Sequence, residues 1–472
     1  MKFIKYSFKT KLLIILLIII GCVSCKKFVD IGPPKTEVVS ELVYGDEVTA
    51  INALVSIYGD MMSNNNFISD YCSSYLGYTA DELGTYSTTP AAYSNNALTP
   101  GNDDFWSKGY NFIYEANAVK EGVQKSTKLT DSTKRQLIGE SLFIRAFCHF
   151  YMVNLFGDIP YVDTTDYRVT NVAFREPVSQ VYDKILKDLL NARGLVKDYY
   201  VNGNNGAYPS PSAVERVRPN KAVVSALIAR TYLYMGNWAM AEQEAAALIG
   251  NPSYSLLSSL DQVFLKNSKE TIWQLMPSNP SYLNGYSGYN YILNGAFGSR
   301  PYLADPLWNA CYPGDKRKTN WMGTYSGLHF AYKYKVSQAN MPSTEYYMVF
   351  RLAEQYLIRA EARAHLNNIS GAVSDLNVLQ ARARATSTDL PDYSASLSQA
   401  QCLVAIAHER QVELFTEWGH RWLDLKRTGA VDAVLKAFKG TTKWQTTDQL
   451  FPLPQTQITL DPNMSNQQNP GY

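Results

Sequence analysis

Five histidines are the first candidates for acid–base or metal chemistry: His149, His329, His365, His408 and His420. None has a partner at metal-ligand spacing. His408-Glu409 begins as the H-E-x-x-H zinc motif does, but Val412 stands where the second ligand belongs. There is no glycine-rich phosphate loop. Gly285-Tyr286-Ser287-Gly288 is one residue short of a nucleophile elbow. Asp81-Glu82 and Asp103-Asp104 supply adjacent carboxylates. Glycoside hydrolysis needs two carboxyls facing each other across a cleft, and adjacency does not establish that. Asp103-Asp104 also opens a predicted helix, where acids favour the dipole. The densest charged run extends from Glu409 through Glu413 and Glu417 to Arg427. Its acids and arginines alternate on an otherwise apolar helix pair, which we read as a buried ion-pair network that fixes packing rather than as an active site. No catalytic residue and no metal ligand is expected.

These side chains need elements to hold them. Apolar residues at helical spacing predict helices at about 46–62, 104–123, 131–155, 178–195, 219–236, 238–249, 346–366, 369–385 and 398–418. Asp131 or Ser132 can cap the third, and Gly157 ends it. Two stretches resemble each other at a constant offset. Ala229, Gly236 and Ala241 match Ala360, Asn367 and Ala372, 131 residues later. Small residues there let antiparallel helices approach closely, which is the tetratricopeptide pattern. Two long segments break the period, at about 63–105 and 250–345. They are rich in Tyr, Gly and Pro, and are expected to be ordered loops with short strands. From Phe451 the chain is Pro-rich and polar, and coil is expected to Tyr472.

Composition bounds the class. The 472 residues carry 44 Lys+Arg against 42 Asp+Glu, a net charge of +2. That balance excludes a protein built to grip nucleic acid phosphates. The unusual excess is aromatic, with 34 Tyr against 18 Phe. Tyr joins a flat apolar face to a polar tip, so it suits wet binding surfaces as well as cores. The first 24 residues hold Lys2, Lys5, Lys9 and Lys11, no acid, and an unbroken aliphatic run from Leu12 to Ile20. This reads as a secretory signal peptide, since nine apolar residues are too few to span a bilayer. Small residues leading into Cys25 look like a lipobox that makes Cys25 the lipidated first residue, with Cys22 as the alternative. Cleavage before Cys25 removes four lysines and no acid, which turns the net charge from +2 to −2. Residues 25–45 then form a tether and 46–472 a single domain. Cys72, Cys148, Cys311 and Cys402 are read as isolated buried thiols.

Four ordered blocks carry a family resemblance. GESLFIRAFCHFYMVNLFGDIPYV from Gly139 holds Glu140, Arg145, Ala146, Gly157, Asp158 and Pro160 in the pattern of the SusD/RagB family of outer-membrane nutrient-binding lipoproteins. RLAEQYLIRAEARAHL from Arg351 and ERQVELFTEWGHRWLDLKRTG from Glu409 resemble two further blocks. The closing LFPLPQTQITLDPNMSNQQNPGY resembles the last, with Gln457 for the usual Glu and Asp461 for the usual Asn. The resemblance implies a mainly α fold, with tetratricopeptide-like helix pairs supporting irregular loops with short strands. It implies a lipoprotein anchored on the outer face of the outer membrane. Such a protein presents nutrient glycans to a SusC-like TonB-dependent transporter, without catalysis or cofactor. A structural Ca²⁺ among the loop carboxylates stays open, and a peptide ligand is the alternative to a glycan.

The matching blocks are scaffold and do not choose the ligand. Sugar rings have apolar faces that stack on aromatic rings, and hydroxyls that need amides, carboxylates or guanidinium groups. The two irregular segments supply both. The expected ligand-binding residues are Asn66, Asp70, Tyr75, Tyr78 and Asp81 from the first, and Tyr286, Tyr289, Arg300, Trp308 and Trp321 from the second. Tyr86, Tyr302 and Tyr325 lie in the same two segments. Trp106, Trp418 and Trp422 are assigned to the core.

Overall fold

In the computed structural model the described residues are 40–63, 68, 71–88, 90–277, 286–295, 300–338 and 343–472. The proposed signal peptide, Cys22, Cys25, Asn66 and Asp70 lie outside them, as does the side chain of Tyr286. Local sequence sets the helix ends. Helix α1 (Glu47–Met61) starts at Asp46, whose carboxylate accepts from the Val48 and Thr49 amides. Then come α2 (Cys72–Thr79), α3 (Trp106–Lys125) and α4 (Asp131–Phe156). Thr130 caps α4, one residue before Asp131 and two before Ser132, because its hydroxyl accepts from the Thr133 amide. Next are α5 (Val178–Leu195), α6 (Lys221–Tyr234) and α7 (Trp238–Ile249). The second half holds α8 (Asp305–Ala310), α9 (Lys316–Trp321), α10 (Leu352–His365), α11 (Ile369–Ala383), α12 (Gln399–Leu414), α13 (His420–Arg427) and α14 (Val431–Lys439).

Helices α3, α4 and α5 pack in succession, and α6–α7 and α10–α11 form antiparallel pairs with α7 against α10. The two pairs turn in the same way. Gly236 and Asn367 both take left-handed backbone, at φ +70° and +60°. The next residue, Asn237 or Asn368, donates its amide five residues back and caps the following helix with its side chain. Ala229, Ala241, Ala360 and Ala372 are all fully buried, as close helix approach requires. Helix α4 is central. Its Phe143, Phe147 and Tyr151 rings meet Trp273, Phe350 and Trp418. Trp106 and Trp422 are buried too.

Strand β2 (Thr271–Leu275) pairs antiparallel with β6 (Tyr347–Arg351), Thr271 opposite Arg351 and Leu275 opposite Tyr347. Both strands are wholly buried. The helix expected from 346 therefore begins only at Leu352. A short apolar run buried on both faces has no amphipathic period to separate strand from helix, and pairing with β2 decides it. Three other expectations change. Cys72–Thr79 is helical inside the segment expected as loop. The helix expected at 398–418 ends at Leu414, and left-handed Thr416, Trp418 and Gly419 turn the chain into α13. The C-terminal coil contains one helical turn and a half, Gln455–Leu460.

The charged run from Glu409 is a buried ion-pair network. Arg351 donates to Glu413 at 2.6 Å, to Glu270 at 3.0 Å and to Glu417 at 2.8 Å. Arg317 clasps Asp315 with two nitrogens and reaches Glu409 at 2.8 Å. Arg382 joins Glu270 to Glu413, and Lys333 pairs with Glu417. Burial alone would raise the Glu413 carboxyl, but Arg382, Arg351 and Arg317 outweigh it and hold the group well below the usual carboxylate range. Every charge has a partner, which is the condition under which buried ions are tolerated. The network ties β6, α9, α11 and α12 together.

Candidate functional site

Strand β1 (Leu83–Gly84) lies in the first irregular segment and β3 (Tyr302–Leu303) in the second. They pair antiparallel, Leu83 opposite Leu303 and Gly84 opposite Tyr302. This pairing joins two segments more than 200 residues apart in sequence. The Tyr302 ring lies directly across Gly84, where a β-carbon would sit 2.3 Å from the ring. Tyr86 packs on Tyr302 with ring centres 5.1 Å apart, and is itself 68% exposed.

Strand β3 packs alongside β5 (Leu328–Ala331), which pairs with β4 (Met322–Tyr325). Ser326 and Gly327 connect the two strands, both with positive φ, as a two-residue hairpin turn demands. Thr324 opposes His329, and the Thr324 hydroxyl lies 3.0 Å from His329 Nδ1. The His329 ring stacks on Trp308 at 3.4 Å between centres and 5° between planes. Lys318 Nζ lies 4.3 Å from the centre of the Trp308 ring. Burial, and then the Lys318 charge, push the imidazole below its ordinary value, so His329 is neutral at pH 7 and stacks as a flat uncharged ring.

A third part comes from the short helix Tyr286–Tyr291 and the residues after it. Ile292 and Leu293 pack with Phe330, Leu328 and Tyr332 as a small separate core, which fixes this stretch against the hairpin. Tyr289 is partly exposed, and the Arg300 guanidinium lies 5.1 Å from its ring centre. Arg300 also donates to the Ile292 carbonyl and, at 2.7 Å, to Asn294 Oδ1. Tyr325 is exposed at the end of β4. The elements so joined carry Tyr86, Tyr302, Trp308, Tyr325 and Tyr289, with Lys318 beside Trp308 and with Arg300 in contact with Tyr289 and Asn294. Such a surface can stack flat apolar faces and satisfy hydroxyls. Among the described residues no three His, Cys, Asp or Glu side chains gather to hold a metal ion.

Several expected ligand residues are elsewhere. Trp321 is 0% exposed, its indole N–H donates to the Leu260 carbonyl at 3.0 Å, and Lys333 lies 5.0 Å from its ring. It roofs the ion-pair network and is a core residue. Asp81 is buried and takes both Arg421 Nε and Nη2, at 2.7 and 2.8 Å, so both its oxygens serve the scaffold. Tyr78 is buried on α2, and Tyr75 packs between Tyr71 and Tyr93 at 4.1 and 4.5 Å. For Tyr75, Tyr78 and Asp81 the cause is α2, which carries this part of the first segment inward, whereas Tyr86, just after β1, is exposed. His329 and Lys318 were not foreseen. The Ser326-Gly327 pair between apolar residues was the available signal, because such a dipeptide marks a hairpin that would set His329 against its neighbours.

Comparison with known proteins agrees along the chain. A family model described as "SusD family" matches residues 305–472. One described as "Starch-binding associating with outer membrane" matches residues 27–233. SusD-like protein P25 of Formosa agariphila is 23% identical, over 98% of this chain and 99% of its own. SusD-like protein P2 of the same organism is 26% identical, over 83% of this chain and 86% of its own. A SusD superfamily protein from Bacteroides thetaiotaomicron superposes with a TM-score of 0.74 at 21% identity, covering 90% of this chain and 99% of that one. Surface glycan-binding protein A from Bacteroides thetaiotaomicron, solved in complex with laminarihexaose, superposes with a TM-score of 0.72 at 19% identity, covering 89% and 98%. With both halves matched by family models, relatives aligned end to end and the same fold in solved members, this chain belongs to the SusD-like family.

Proposed function

We propose that the protein is a cell-surface lipoprotein that binds nutrient oligo- or polysaccharides and hands them to a SusC-like TonB-dependent transporter, without catalysis and without a cofactor. The observation that carries the reading is the pairing of β1 with β3, which sets Tyr86 against Tyr302 next to the β4–β5 hairpin that holds Trp308 through His329. Flat rings beside cationic donors suit sugar faces and hydroxyls. The glycans named for the solved relatives support the same ligand class. Export by residues 1–24 and a lipid on Cys25 would hold the body at the outer membrane. No helix among the described residues is long and apolar enough to cross a membrane.

A panel of polysaccharides in affinity electrophoresis tests the reading. At least one glycan should retard the wild-type chain, release no reducing ends on long incubation, and lose most of its effect on Trp308→Ala with Tyr86→Ala. Binding that the double variant leaves intact would remove the site from this surface. A chain that binds peptides and no glycan would overturn the ligand class.

A further inference from the structure

A second cavity, of about 230 Å³, is built from different elements: the start of α3, the segment after Pro160, and the C-terminal stretch around Asp461. Trp106, Tyr110 and Tyr114 form its aromatic wall, and Thr170, Asn171 and Asp461 line the other side. Tyr110 is fixed by donating its hydroxyl to the Pro160 carbonyl at 2.8 Å. Asp461 is only 2% exposed. Its Oδ1 accepts from the Asn463 amide at 2.9 Å and so caps the short turn Pro462–Met464. Its Oδ2 has no hydrogen-bond partner. Among the described residues no lysine or arginine pairs with it. An asparagine would cap that turn equally well. The carboxylate therefore adds a negative charge that capping does not require, at the side of an aromatic pocket.

Exposed large hydrophobic side chains flank the lining residues along the chain: Tyr114 is itself in the lining, Val169, Val172 and Phe174 alternate with Thr170, Asn171 and Ala173, and Leu460 precedes Asp461. The two chain segments that carry most of them are tied together, because Asn463 Nδ2 donates to the Val172 carbonyl. Exposed apolar groups collected in one place mark interaction surfaces. Aliphatic side chains leave sugar hydroxyls without partners, whereas they bury well against protein. Three aromatic rings with one carboxylate form a cage suited to a cation, which gains from ring faces and from the charge together.

We propose that this cavity receives a lysine or arginine side chain of a protein partner whose surrounding surface is apolar. The site is separate from the aromatic surface described above and does not depend on the glycan reading. The test uses the full chain in detergent and a set of fluorescent heptapeptides with Lys, Arg or Gln at the centre and Leu, Val or Tyr around it. Polarisation should show the Lys or Arg peptides binding roughly tenfold more tightly than their Gln counterparts, the scale of one charge-assisted contact. Asp461→Asn keeps the cap and should erase that preference with an unfolding midpoint no lower than that of the unaltered chain. Tyr114→Ala, on an exposed helix position, should weaken all the peptides. Equal binding of the Lys and Gln peptides, no binding of any peptide, or an unaltered preference in Asp461→Asn would overturn the proposal. Loss of glycan retention in Asp461→Asn with no change toward peptides would instead assign the cavity to sugar.

Discussion

Trp308 and Trp321 stand thirteen residues apart in one irregular segment, the first partly exposed and the second fully buried. Trp321 is closed in by Phe264 and by the cations of the ion-pair network. Trp321→Ala should cost about 3–5 kcal/mol in guanidinium unfolding, the range for emptying a buried aromatic site. Trp308→Ala should cost under about 1 kcal/mol and act on glycan binding instead. Glu413 touches three arginines, so Glu413→Ala, which strands them, should cost about 3–5 kcal/mol. The acid limb follows from the same carboxylate. Its folded value lies below the usual 4.5, so its contribution is complete above pH 4.5 and is lost as pH falls from there toward the folded value. Glu82 has the opposite sign. Burial, only partly offset by the Thr416 amide, pushes it up to about 7, so the fold loses stability as pH rises from 4.5 to 7. Glu82→Gln mimics the protonated group and should flatten that stretch of a stability–pH curve measured by denaturant titration. At this scale the sequence showed which residues could do chemistry and why Glu409 to Glu417 would be buried. It could not separate one tryptophan from the other, because both sit among Tyr, Gly and Lys.

At the scale of elements, the surface depends on how closely β1 and β3 approach. Gly84 is required there because Tyr302 occupies the space a side chain would take. Gly84→Ala should displace the Tyr302 ring and weaken glycan retention severalfold while Trp308 and its His329 stack remain, which affinity electrophoresis beside near-ultraviolet circular dichroism would show. Helix positions were legible in the sequence almost to the residue for α5, α7 and α11, since caps and a 3.6-residue period are local. Strands of two to five residues were not. Their residues carry no period of their own, and each exists only because a partner far along the chain supplies its hydrogen bonds.

For the whole molecule, Cys72, Cys148, Cys311 and Cys402 are free and buried. Burial raises the Cys148 thiol out of the reactive range and Cys311 to about 12. Thiol titration should find these four only after denaturation, and a reductant should leave the thermal midpoint of the folded chain unchanged; a lowered midpoint would mean that a disulfide stabilises the body. The apparent basicity of the sequence belongs to its first residues. A chain processed before Cys25 should migrate as a weak acid in isoelectric focusing.

The sequence by itself marked most of the long helices and the repeated α6–α7 and α10–α11 turn, and its four blocks pointed to the family. All of these are written in short windows, where periodicity, caps and small residues act on near neighbours. The tertiary structure alone decided which aromatics face outward. It turned Tyr75, Tyr78, Asp81 and Trp321 into the scaffold and brought Tyr86 to Tyr302 and Trp308 to His329. Exposure is settled by contacts between segments distant in sequence, and a composition shared by core and surface leaves no local mark of that choice.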